Sequence, residues 1–429
     1  MCCPVCGSLA ESGTANPDIQ RRKGKPMSLI VQKFGGSSVR NAERIRHVAS
    51  IIEKTYKAGN DVIVVLSAQG DTTDDLIAKA QEINPRASRR EMDMLISTGE
   101  QISISLCAME LERRDLRCVS LAGWQAGVQT SSVYSDARIK RIDSERIQSE
   151  LDQHRIVLVA GFQGLDRAGN ITTLGRGGSD TSAVALAATF HAELCQIFTD
   201  VDGVYTTDPR IVPNARKISE ITYDEMLELA SQGAQVLHNR SVELAKKFHV
   251  NLEVVSSLED KPGTTVKEVT KVEKTNIAGV AKDTSIARIA LVGLQHNPGV
   301  AFQVFDLLSK SNINVDVILQ SIGREDTKDI TFTVHKKDVE QSVELLEEHK
   351  QALKFDHIAT DERIGKVSIV GMGLMSNCGV AAKMFEALYD AGINIQMINT
   401  SEIRVSVLLD ESEVDRAVRA IHGKFFDET

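Results

Sequence analysis

Short apolar runs alternate with amphipathic segments through residues 29–256 of the chain. The runs lie at residues 29–32, 61–66, 118–121, 156–160, 194–198 and 252–256, and the one at 61–66 is continuous and rich in β-branched side chains. Continuous apolar runs of this length are typical of strands buried on both faces of a parallel sheet. Segments between them carry apolar residues at helical spacing, as at Ile45, Val48, Ile51 and Ile52. The pattern therefore predicts an α/β unit built on a mainly parallel sheet.

The composition limits the class of protein. The chain has 429 residues, of which 42% are hydrophobic and 25% are charged, with a formal net charge of −9. Two or three domains are expected at this length, with ample material for their cores. The negative charge and the lack of a basic run disfavour nucleic acid and membrane surfaces as partners. No apolar stretch is long enough to cross a bilayer.

The seven cysteines do not indicate a disulfide framework. Four of them are scattered, at Cys107, Cys118, Cys195 and Cys378, which favours reduced thiols in a cytoplasmic protein. Residues 2–7 contain a single C-x-x-C, and the second pair that a zinc ribbon needs does not follow. Residues 1–26 lack the apolar core of a signal peptide. We interpret them as a disordered extension, with Met27 as the functional start.

Residues 33–39, Lys-Phe-Gly-Gly-Ser-Ser-Val, join the first predicted strand to a helix that Asn41 can cap. A glycine pair at a helix start presents free backbone N–H groups, and Lys33 adds a positive charge beside them. This combination indicates a phosphate site. Taken alone, the stretch also fits a plain strand-to-helix turn that contains two glycines.

Hydroxyl groups follow the second strand, at residues 67–74 (Ser-Ala-Gln-Gly-Asp-Thr-Thr-Asp). Open α/β sheets bind ligands at the carboxyl ends of their strands, and helix capping by Thr72 or Thr73 would explain only one hydroxyl. The helical segment 92–112 is interrupted by Ser-Thr-Gly-Glu at residues 97–100, which suggests a break with a purpose. Glu100 then either matches a helix dipole or pairs with a substrate amine.

A second glycine-rich turn, Gly-Arg-Gly-Gly-Ser-Asp at residues 175–180, precedes a predicted helix at 181–191. The Arg176 guanidinium can bind a carboxylate or a phosphate with two hydrogen bonds. The alternative is a surface arginine beside a capped helix. Residues 199–210, after the next strand, contain acids and hydroxyls and end in an arginine. This composition indicates a nucleotide edge and is compatible with a magnesium site.

Two helices at 223–230 and 234–248 and a turn at 261–264 close the first unit, and the remainder of the chain is a repeat. Asn297-Pro-Gly-Val-Ala recurs from Asn377, and Ile313-Asn-Val recurs as Ile393-Asn-Ile; both pairs are 80 positions apart (377 − 297 and 393 − 313). Each copy consists of a predicted strand, an N-x-G-V loop, a helix, an I-N-[VI] strand and an alternating strand. The shared register indicates duplicated domains.

Five motifs, at residues 33–39, 67–74, 97–100, 175–180 and 198–210, resemble in kind and order those of the aspartate kinases. The duplication resembles their paired ACT domains, so the resemblance covers the chain from Met27 onward. It implies an amino-acid kinase fold, a mainly parallel sheet flanked by helices, followed by two α+β ACT-type domains of βαββαβ order. The implied divisions are a catalytic domain at 27–262, a linker with the first regulatory strand at 263–284, and ACT domains at 285–360 and 365–429.

The resemblance also implies a reaction. The β-carboxylate of L-aspartate attacks the γ-phosphate of ATP to give 4-phospho-L-aspartate and ADP, the entry to lysine, threonine, methionine and bacterial diaminopimelate synthesis. A carboxylate is already a nucleophile near neutral pH, so the site must mainly align the reactants and neutralise charge. By the motif match, Lys33 acts at the γ-phosphate, and Asp180 holds Lys33 or organises the site. Mg²⁺ is implied to bridge the phosphates with few protein ligands, and no metal ligand is assigned.

The same match assigns the binding residues. Glu100 is implied to pair with the substrate ammonium and Arg176 with its α-carboxylate. The rest of the aspartate pocket is implied to be Ser67, Thr73, Phe162, Gly177, Gly178 and Ser179. The implied ATP-binding residues are Lys33, Phe34, Gly35, Gly36, Thr199, Asp200, Tyr205, Thr206, Asp208 and Arg210.

Three positions depart from the commoner family pattern. Ser37 replaces a threonine and keeps the hydroxyl, and Asn239 replaces a proline that often follows the histidine. Leu258 stands where some members have a lysine after the serine pair. Lys261 could substitute for that lysine, and this ATP contact is left unassigned.

Paired ACT domains of this family bind amino-acid effectors at their interface, near the N-x-G-V loops and the I-N strands. The implied effector residues are Asn297, Gly299, Val300, Asn314, Asp316, Gln320, Asn394 and Ile395. The alternative for Gly299 and Gly379 is that they only start helices. Lysine, threonine or both together are the implied effectors. A homo-oligomer of the full chain, a dimer or a tetramer through the ACT domains, is expected.

Two other functions compete with this interpretation. The first is another acyl-phosphate-forming kinase of the same fold, acting on glutamate, acetylglutamate or carbamate; Glu100 and the paired repeat disfavour it. The second is a catalytically inactive amino-acid sensor that uses only the duplicated domains, which the retention of Lys33, Arg176 and Asp180 disfavours. A bifunctional kinase–dehydrogenase is not expected for a chain of this length.

Overall fold

The computed structural model describes residues 28–233, 236–268, 277–295, 297–321, 327–372, 374, 377 and 379–427. The interpretations of residues 1–26, of Met27 and of Cys378 lie outside the described residues. Within the described part of the chain, no helix combines the length and the apolar character needed to cross a membrane.

Strands and helices alternate through residues 29–267, and all six strands predicted from the apolar runs are present. The strands are β1 (Leu29–Phe34), β2 (Asp61–Leu66), β3 (Cys118–Leu121), β4 (Val128–Thr130), β5 (Ile139–Ile142), β6 (Ile156–Ala160), β7 (Gln163–Leu165), β8 (Ile171–Thr173), β9 (Leu194–Thr199), β10 (Glu220–Thr222), β11 (Leu252–Ser256) and β12 (Thr264–Lys267). The helices are α1 (Gly36–Val39), α2 (Ala42–Lys57), α3 (Thr72–Ile83), α4 (Arg89–Ile96), α5 (Thr98–Glu112), α6 (Glu145–Leu151), α7 (Gly178–Thr189), α8 (Tyr223–Ser231) and α9 (Asn239–Phe248).

Eight of these strands form one sheet, in the order β10-β12-β11-β9-β1-β2-β6-β3. The strands from β11 to β3 run parallel, whereas β12 runs antiparallel to β11. Helices cover both faces, which explains the continuous apolar runs. Val31 and Val184 of α7 belong to the hydrophobic cluster on one face, and Phe34 and Ile52 of α2 to the cluster on the other. The predicted mainly parallel sheet flanked by helices is confirmed.

A small separate sheet has the order β5-β4-β7-β8; β4 and β5 precede β6 in the chain, and β7 and β8 follow its carboxyl end. Residues 166–170 form the hairpin turn that joins β7 to β8, and it is closed by the Asp166 N–H, which donates to Asn170 O at 3.0 Å. The chain therefore passes from β8 directly into the second glycine-rich turn.

The remaining strands and helices form two similar units. The strands are β13 (Gly279–Asp283), β14 (Ile286–Gln295), β15 (Ile318–Gln320), β16 (Thr327–His335), β17 (His357–Asp361), β18 (Ile364–Val370), β19 (Met397–Ser401) and β20 (Arg404–Asp410). The helices are α10 (Val300–Lys310), α11 (Val339–Glu348), α12 (Lys350–Leu353), α13 (Val380–Asp390) and α14 (Val414–Phe426).

Each unit is a four-stranded antiparallel sheet with helices. The first copy (β14 to β17, with α10 to α12) has the order β15-β16-β14-β17, and the second copy (β13, β18 to β20, α13 and α14) has the order β13-β18-β20-β19. The edge strand β13 therefore comes from the chain before the first copy, in the place that β17 holds in the other sheet. The predicted pair of α+β domains is confirmed, with one strand supplied out of sequence order.

The predicted I-N strands are wrong by a few residues. Residues 313–315 and 393–395 precede β15 and β19 instead of forming them. In each copy the helix ends at a residue in the left-handed conformation, Asn312 (φ +58°) or Gly392 (φ +64°). The next residue, Ile313 or Ile393, then bonds back to the helix through its N–H and is buried. The I-N segments are thus helix ends. Their alternation of apolar and polar residues resembles that of a strand.

Other boundaries also shift. The predicted helix 181–191 begins at Gly178, and the segment 92–112 is two helices that meet at Ser97. The described part of the predicted helix 234–248 begins at Asn239. Strand β12 continues the large sheet beyond the division predicted at 262, because it pairs with β11 and β10.

Candidate active site

The loops that follow β1, β2, β6 and β9 meet at one edge of the large sheet, because these strands are neighbours and parallel. Gly36 O accepts a hydrogen bond from Gly70 N at 3.0 Å, so the first two loops touch. The Ser38 hydroxyl donates to Ser257 Oγ at 2.8 Å, which attaches the segment after β11. The structure therefore brings together motifs that are far apart in sequence.

Lys33 and Asp180 form an ion pair at this edge. Lys33 Nζ lies 2.6 Å from Asp180 Oδ1, and each side chain is 12% exposed. Lys33 is near the end of β1, and Asp180 is in the first turn of α7. A mostly buried ammonium held by a carboxylate has a fixed position and can still meet an incoming anion. This is the arrangement expected if Asp180 holds Lys33, while their catalytic roles stay predictions.

The first glycine pair lies at a different helix start from the one predicted. Asn41 caps α2 as predicted, since its side chain accepts a hydrogen bond from Arg44 N at 3.0 Å. One turn of helix, α1, separates this cap from the glycine pair, and Gly35 is the N-cap of that turn. The dipole of the long helix is therefore not directed at the pair. Any anion binding there depends on Lys33 and on local N–H groups.

Glu100 lies in the first turn of α5 and is only 3% exposed. Its Oε1 accepts a hydrogen bond from Ala68 N at 3.1 Å, and its Oε2 has no partner among the described residues. Burial raises the pKa of Glu100 to about 8, against the opposing effect of backbone hydrogen bonds. A buried carboxyl with an unpartnered oxygen is suited to a cationic donor. This favours the amine-partner interpretation over a simple match to the helix dipole.

The second glycine-rich turn places Arg176 on an exposed loop between β8 and α7. Gly177 has φ +67°, and a Cβ there would lie 2.2 Å from the His238 ring, so only glycine fits. Gly178 packs on the ring of Phe162, whose N–H donates to Ser182 Oγ at 3.1 Å. The glycines of the loop are therefore held by their packing on His238 and Phe162, while Arg176 is exposed to solvent.

The other predicted substrate residues lie around this turn. A Cβ on Gly161 would lie 2.8 Å from Ser179 Oγ, so Ser179 packs closely on the chain after β6. Ser67, after β2, and Thr73, in the first turn of α3, are half-buried. Their loop contacts the break before α5, because Gly99 packs against Ala68. The motif at residues 67–74 and the one at 97–100 thus meet at Glu100, whose Oε1 accepts from Ala68 N, while the second glycine-rich turn packs on the chain after β6.

The predicted ATP-binding residues lie partly at the end of β9 and partly on the β9–β10 loop (residues 200–219). The Thr199 hydroxyl donates to Asp200 Oδ1 at 3.1 Å, and the Tyr205 hydroxyl donates to Asp202 Oδ1 at 2.7 Å. Arg210, 90% exposed at its side chain, pairs with Asp208 at 2.7 Å. Two further residues of this group are buried: Phe34 stacks on Phe198 with 4.4 Å between ring centroids, and Thr206 lies on the loop. Lys261, whose contact with ATP is unassigned, pairs with Glu259 at 2.5 Å.

The predicted effector residues fall at the helix starts and strand approaches of both copies. Gly299 (φ +92°) is the N-cap of α10, where Val300 follows, and Gly379 (φ +98°) is the N-cap of α13. Asp316 forms an ion pair with Lys366 of β18, which joins the two copies. The others lie in exposed or irregular positions: Asn297, Asn314, Gln320, Asn394 and Ile395.

Sequence reasoning missed Asp93, which is fully buried on α4. Its Oδ2 accepts hydrogen bonds from Ser135 N at 2.9 Å and Thr173 N at 2.8 Å. Its Oδ1 accepts from both hydroxyls, each at 2.9 Å. Asp93 thus attaches the loop before β5 to the end of β8, which leads into the Arg176 turn. The available signal was spacing, since Asp93 lies three residues before buried Ile96, where an apolar residue is expected.

Arg240 was missed as well. Its guanidinium is half-buried on α9, and it donates to Leu174 O at 2.9 Å and to Ala137 O at 2.5 Å. These carbonyls belong to the same two segments that Asp93 joins. The base of the Arg176 turn is therefore fixed from two sides by buried or half-buried charged groups.

Family models match most of the chain. Residues 28–256 match the amino acid kinase family, and residues 289–349 and 367–425 match the ACT domain. An aspartokinase of Bacillus sp. (strain MGA3) is 50% identical over 400 residues, covering 93% of this chain and 97% of that protein. An aspartate kinase of Pseudomonas putida is 49% identical over 401 residues, covering 93% of this chain and 98% of that protein.

Solved structures agree with this result. The crystal structure of E. coli aspartokinase III in complex with aspartate and ADP has a TM-score of 0.79 and 27% identity, and covers 93% of this chain and 100% of that one. The same enzyme in complex with lysine and aspartate has a TM-score of 0.74, with 27% identity, and covers 93% of this chain and 99% of that one.

Proposed function

Because the chain belongs to the amino acid kinase family and is an aspartate kinase that uses ATP, we propose roles for its residues in that reaction. Lys33 neutralises charge on the γ-phosphate, and Asp180 holds Lys33 in position. Glu100 binds the ammonium of aspartate, and Arg176 binds its α-carboxylate. The observation that carries this proposal is the Lys33–Asp180 ion pair of 2.6 Å at the edge where the loops meet.

Aspartate has to present its β-carboxylate to the γ-phosphorus. In the transfer, a carboxylate oxygen forms the new O–P bond as the bond from phosphorus to the ADP oxygen breaks. No proton has to be removed from the nucleophile, so positioning and charge neutralisation are sufficient. Glu100 and Arg176 would fix the two ends of the amino-acid head group. The residues that would line the rest of the pocket are Ser67, Thr73, Phe162, Gly177, Gly178 and Ser179.

ATP would bind along β1, the end of β9 and the β9–β10 loop. The residues proposed to contact it are Lys33, Thr199, Asp200, Tyr205, Thr206, Asp208 and Arg210, with the backbone of Phe34, Gly35 and Gly36. Mg²⁺ would accompany the nucleotide and supply charge neutralisation at the phosphates. Among the described residues, no group of three or more His, Cys, Asp or Glu side chains could hold a metal ion. As the resemblance implies, we assign no protein ligand to the ion.

The ACT pair is proposed to make the activity sensitive to lysine, threonine or both. The structure of E. coli aspartokinase III in complex with lysine and aspartate supports lysine as the first candidate. The proposed contacts are Asn297, Gly299, Val300, Asn314, Asp316, Gln320, Asn394 and Ile395. Such inhibition fits an enzyme at the entry to lysine, threonine, methionine and diaminopimelate synthesis.

We further propose a catalytic domain that extends past the predicted bound of 262 through β12 (Thr264–Lys267), ACT domains at 285–360 and 365–429, and a homo-oligomer formed through the ACT domains. A cytoplasmic location is proposed because Cys107, Cys118 and Cys195 are free thiols. Sedimentation of the purified full chain would give the oligomer number.

The hydroxamate assay for acyl phosphate tests the proposal directly. The full chain should give a signal with aspartate and ATP and a much smaller signal with glutamate, acetylglutamate or carbamate. Added lysine or threonine should lower the rate. Lys33→Ala should lose the signal, whereas Lys57→Ala, at an exposed lysine of α2, should keep it. A Lys33→Ala variant with normal turnover would contradict the assigned role.

A further inference from the structure

The β9–β10 loop belongs to two hydrophobic cores at once. It leaves the large sheet at β9 and returns to it at β10. Between these strands, Val212 is 5% exposed and is part of the hydrophobic cluster of the second copy, with Met384, Leu388 and Ile421. The loop residues that belong to this cluster or pack against it are Ile211, Val212 and Ala215. The tip of the loop is therefore built into an ACT domain.

Thr206, on this loop, is held by hydrogen bonds on every polar atom. Its N–H donates to Arg216 O at 2.9 Å, and its Oγ1 accepts from Arg216 N at 3.0 Å, which closes the loop on itself. Its carbonyl accepts from Val280 N of β13 at 2.7 Å, and its Oγ1 lies 2.9 Å from His422 Nε2. A Cβ on Gly279 would lie 2.9 Å from Thr206 O, so β13 can approach this closely only with glycine there.

His422 is fully buried on α14 of the second copy. Burial lowers its pKa, so the ring is neutral near pH 7 and can share a hydrogen bond with a hydroxyl. The ring stacks on Phe426, with 4.5 Å between centroids. Phe426 O accepts from Arg216 Nη2 at 2.7 Å, and Asp427 follows it with a hydrogen bond to the loop. The last two turns of α14 are thus attached to the loop at several points.

We propose that His422 is a positioning residue for ATP, and that displacement of α14 and β13 is transmitted to the nucleotide through Thr206. The proposal rests on the proposed assignment of Thr206, Asp208 and Arg210 to ATP. Hydrogen bonds weaken steeply as they lengthen or bend, so a shift of α14 against the large sheet has to move Thr206 or break its bonds. Asp208 and Arg210 follow within four residues. The ACT domain and the nucleotide site therefore share one mechanical element.

Three variants of the full chain test the positioning role. His422→Leu removes the hydrogen bond and keeps an apolar group of similar size, whereas His422→Gln retains a nitrogen near the position of Nε2. His349→Leu is the matched control, because His349 lies in the first copy and, within the described part of the chain, its ring bonds to Leu345 O of its own helix. Binding of Mg·ADP is measured by calorimetry, which does not require turnover. His422→Leu should weaken binding about fivefold or more, the effect of one hydrogen bond, while His349→Leu should leave it unchanged and His422→Gln should restore it in part.

Hydrogen exchange tests the transmission. Because coupling is reciprocal, Mg·ADP should slow amide exchange in the last two turns of α14 in the wild type. The same protection should be lost in His422→Leu. If that variant does not fold, Val212→Ala should give the same loss of Mg·ADP affinity, since it loosens the loop from the other side.

The outcomes separate this inference from the proposed function. If the wild type binds no Mg·ADP, the nucleotide assignment and this inference both fail. If the wild type binds it and His422→Leu binds equally well, only the positioning role of His422 is overturned. If Mg·ADP leaves exchange in α14 unchanged in the wild type, the transmission is overturned.

Discussion

The ammonium of Lys33 lies 2.6 Å from Oδ1 of Asp180, and this ion pair joins the end of β1 to the first turn of α7. Both side chains are mostly buried, so removing one partner leaves an uncompensated charge away from water. The pair therefore contributes to the stability of the fold and, in its proposed role, to catalysis. Removing one partner or both separates these effects.

Lys33→Ala should lower kcat by about 100- to 1,000-fold, the usual effect of removing a group that stabilises transition-state charge. It should also lower the free energy of unfolding by about 3–5 kcal/mol, because Asp180 is left unpaired. The double variant Lys33→Ala/Asp180→Ala should recover much of the stability and none of the activity. The hydroxamate assay gives kcat, and urea unfolding gives the free energy. A single variant that keeps both values would contradict the role given to the pair.

The elements that were predicted correctly are those with local signals. Continuous β-branched runs identified β2 and β6 because both faces of each strand are buried, and Asn41 identified the start of α2 because its side chain caps that helix. The prediction of strands at the I-N segments was wrong because a different structure produces the same local pattern. Ile313 and Ile393 are apolar because they close a helix end, and this pattern cannot be distinguished locally from a strand.

The rest depends on contacts between distant segments. Asp93 bonds to Ser135 and Thr173, which lie 42 and 80 positions away in the chain. Nothing near Asp93 in the sequence indicates these partners. The burial of Glu100, and hence its raised pKa, follows from the packing of α5 against the loop after β2. Likewise, the sequence of the β9–β10 loop indicates a nucleotide edge. Its contact with His422 joins residues far apart in sequence and is seen only in the folded structure.

Glu100 should make stability depend on pH. Its folded-state pKa of about 8 exceeds the ordinary value of 4.5, so between these values the folded protein holds a proton that the unfolded chain has released. The free energy of unfolding should therefore fall as pH rises through this window, by up to about 1.4 kcal/mol per pH unit from this group. Glu100→Gln should remove that part of the slope in urea unfolding. Glu112→Gln, at an exposed position on the same helix, is the control and should keep it.

Aspartate binding should release a proton from Glu100. Near pH 7 the free enzyme holds this carboxyl protonated, and pairing with the substrate ammonium requires the carboxylate. Aspartate affinity should therefore rise with pH toward about 8. Calorimetry in buffers of different ionisation enthalpy should detect release approaching one proton per bound aspartate. Wild-type binding without proton release, or an unchanged release in Glu100→Gln, would contradict the assignment.

Asp93→Asn should weaken aspartate binding without touching the substrate. An amide can accept at only one oxygen, so its NH₂ group would face donors of Ser135 and Thr173. The unfolding free energy should fall by about 1–3 kcal/mol. Because the Arg176 turn loses its support, KM for aspartate should rise about tenfold, with little change in KM for ATP. Asp152→Asn, at an exposed helix end, is the control. An equal rise in both KM values would indicate a general loss of structure instead.

The ion pair between Asp316 and Lys366 predicts in which direction two variants should shift the inhibition by an amino-acid effector. The Lys366 side chain is 3% exposed and that of Asp316 is 40% exposed, so a cationic amino acid that binds Asp316 has to compete with Lys366. Lys366→Met keeps the apolar length of the side chain and releases the carboxylate. On the proposed assignment of lysine as an effector, Lys366→Met should therefore shift the lysine inhibition curve about five- to tenfold to lower concentration, the scale of one charge-assisted hydrogen bond. Adding Asp316→Asn to Lys366→Met should reverse the shift, because the attracting charge is gone. Inhibition curves from the hydroxamate assay give both values, and shifts in the same direction would exclude Asp316 from the effector site.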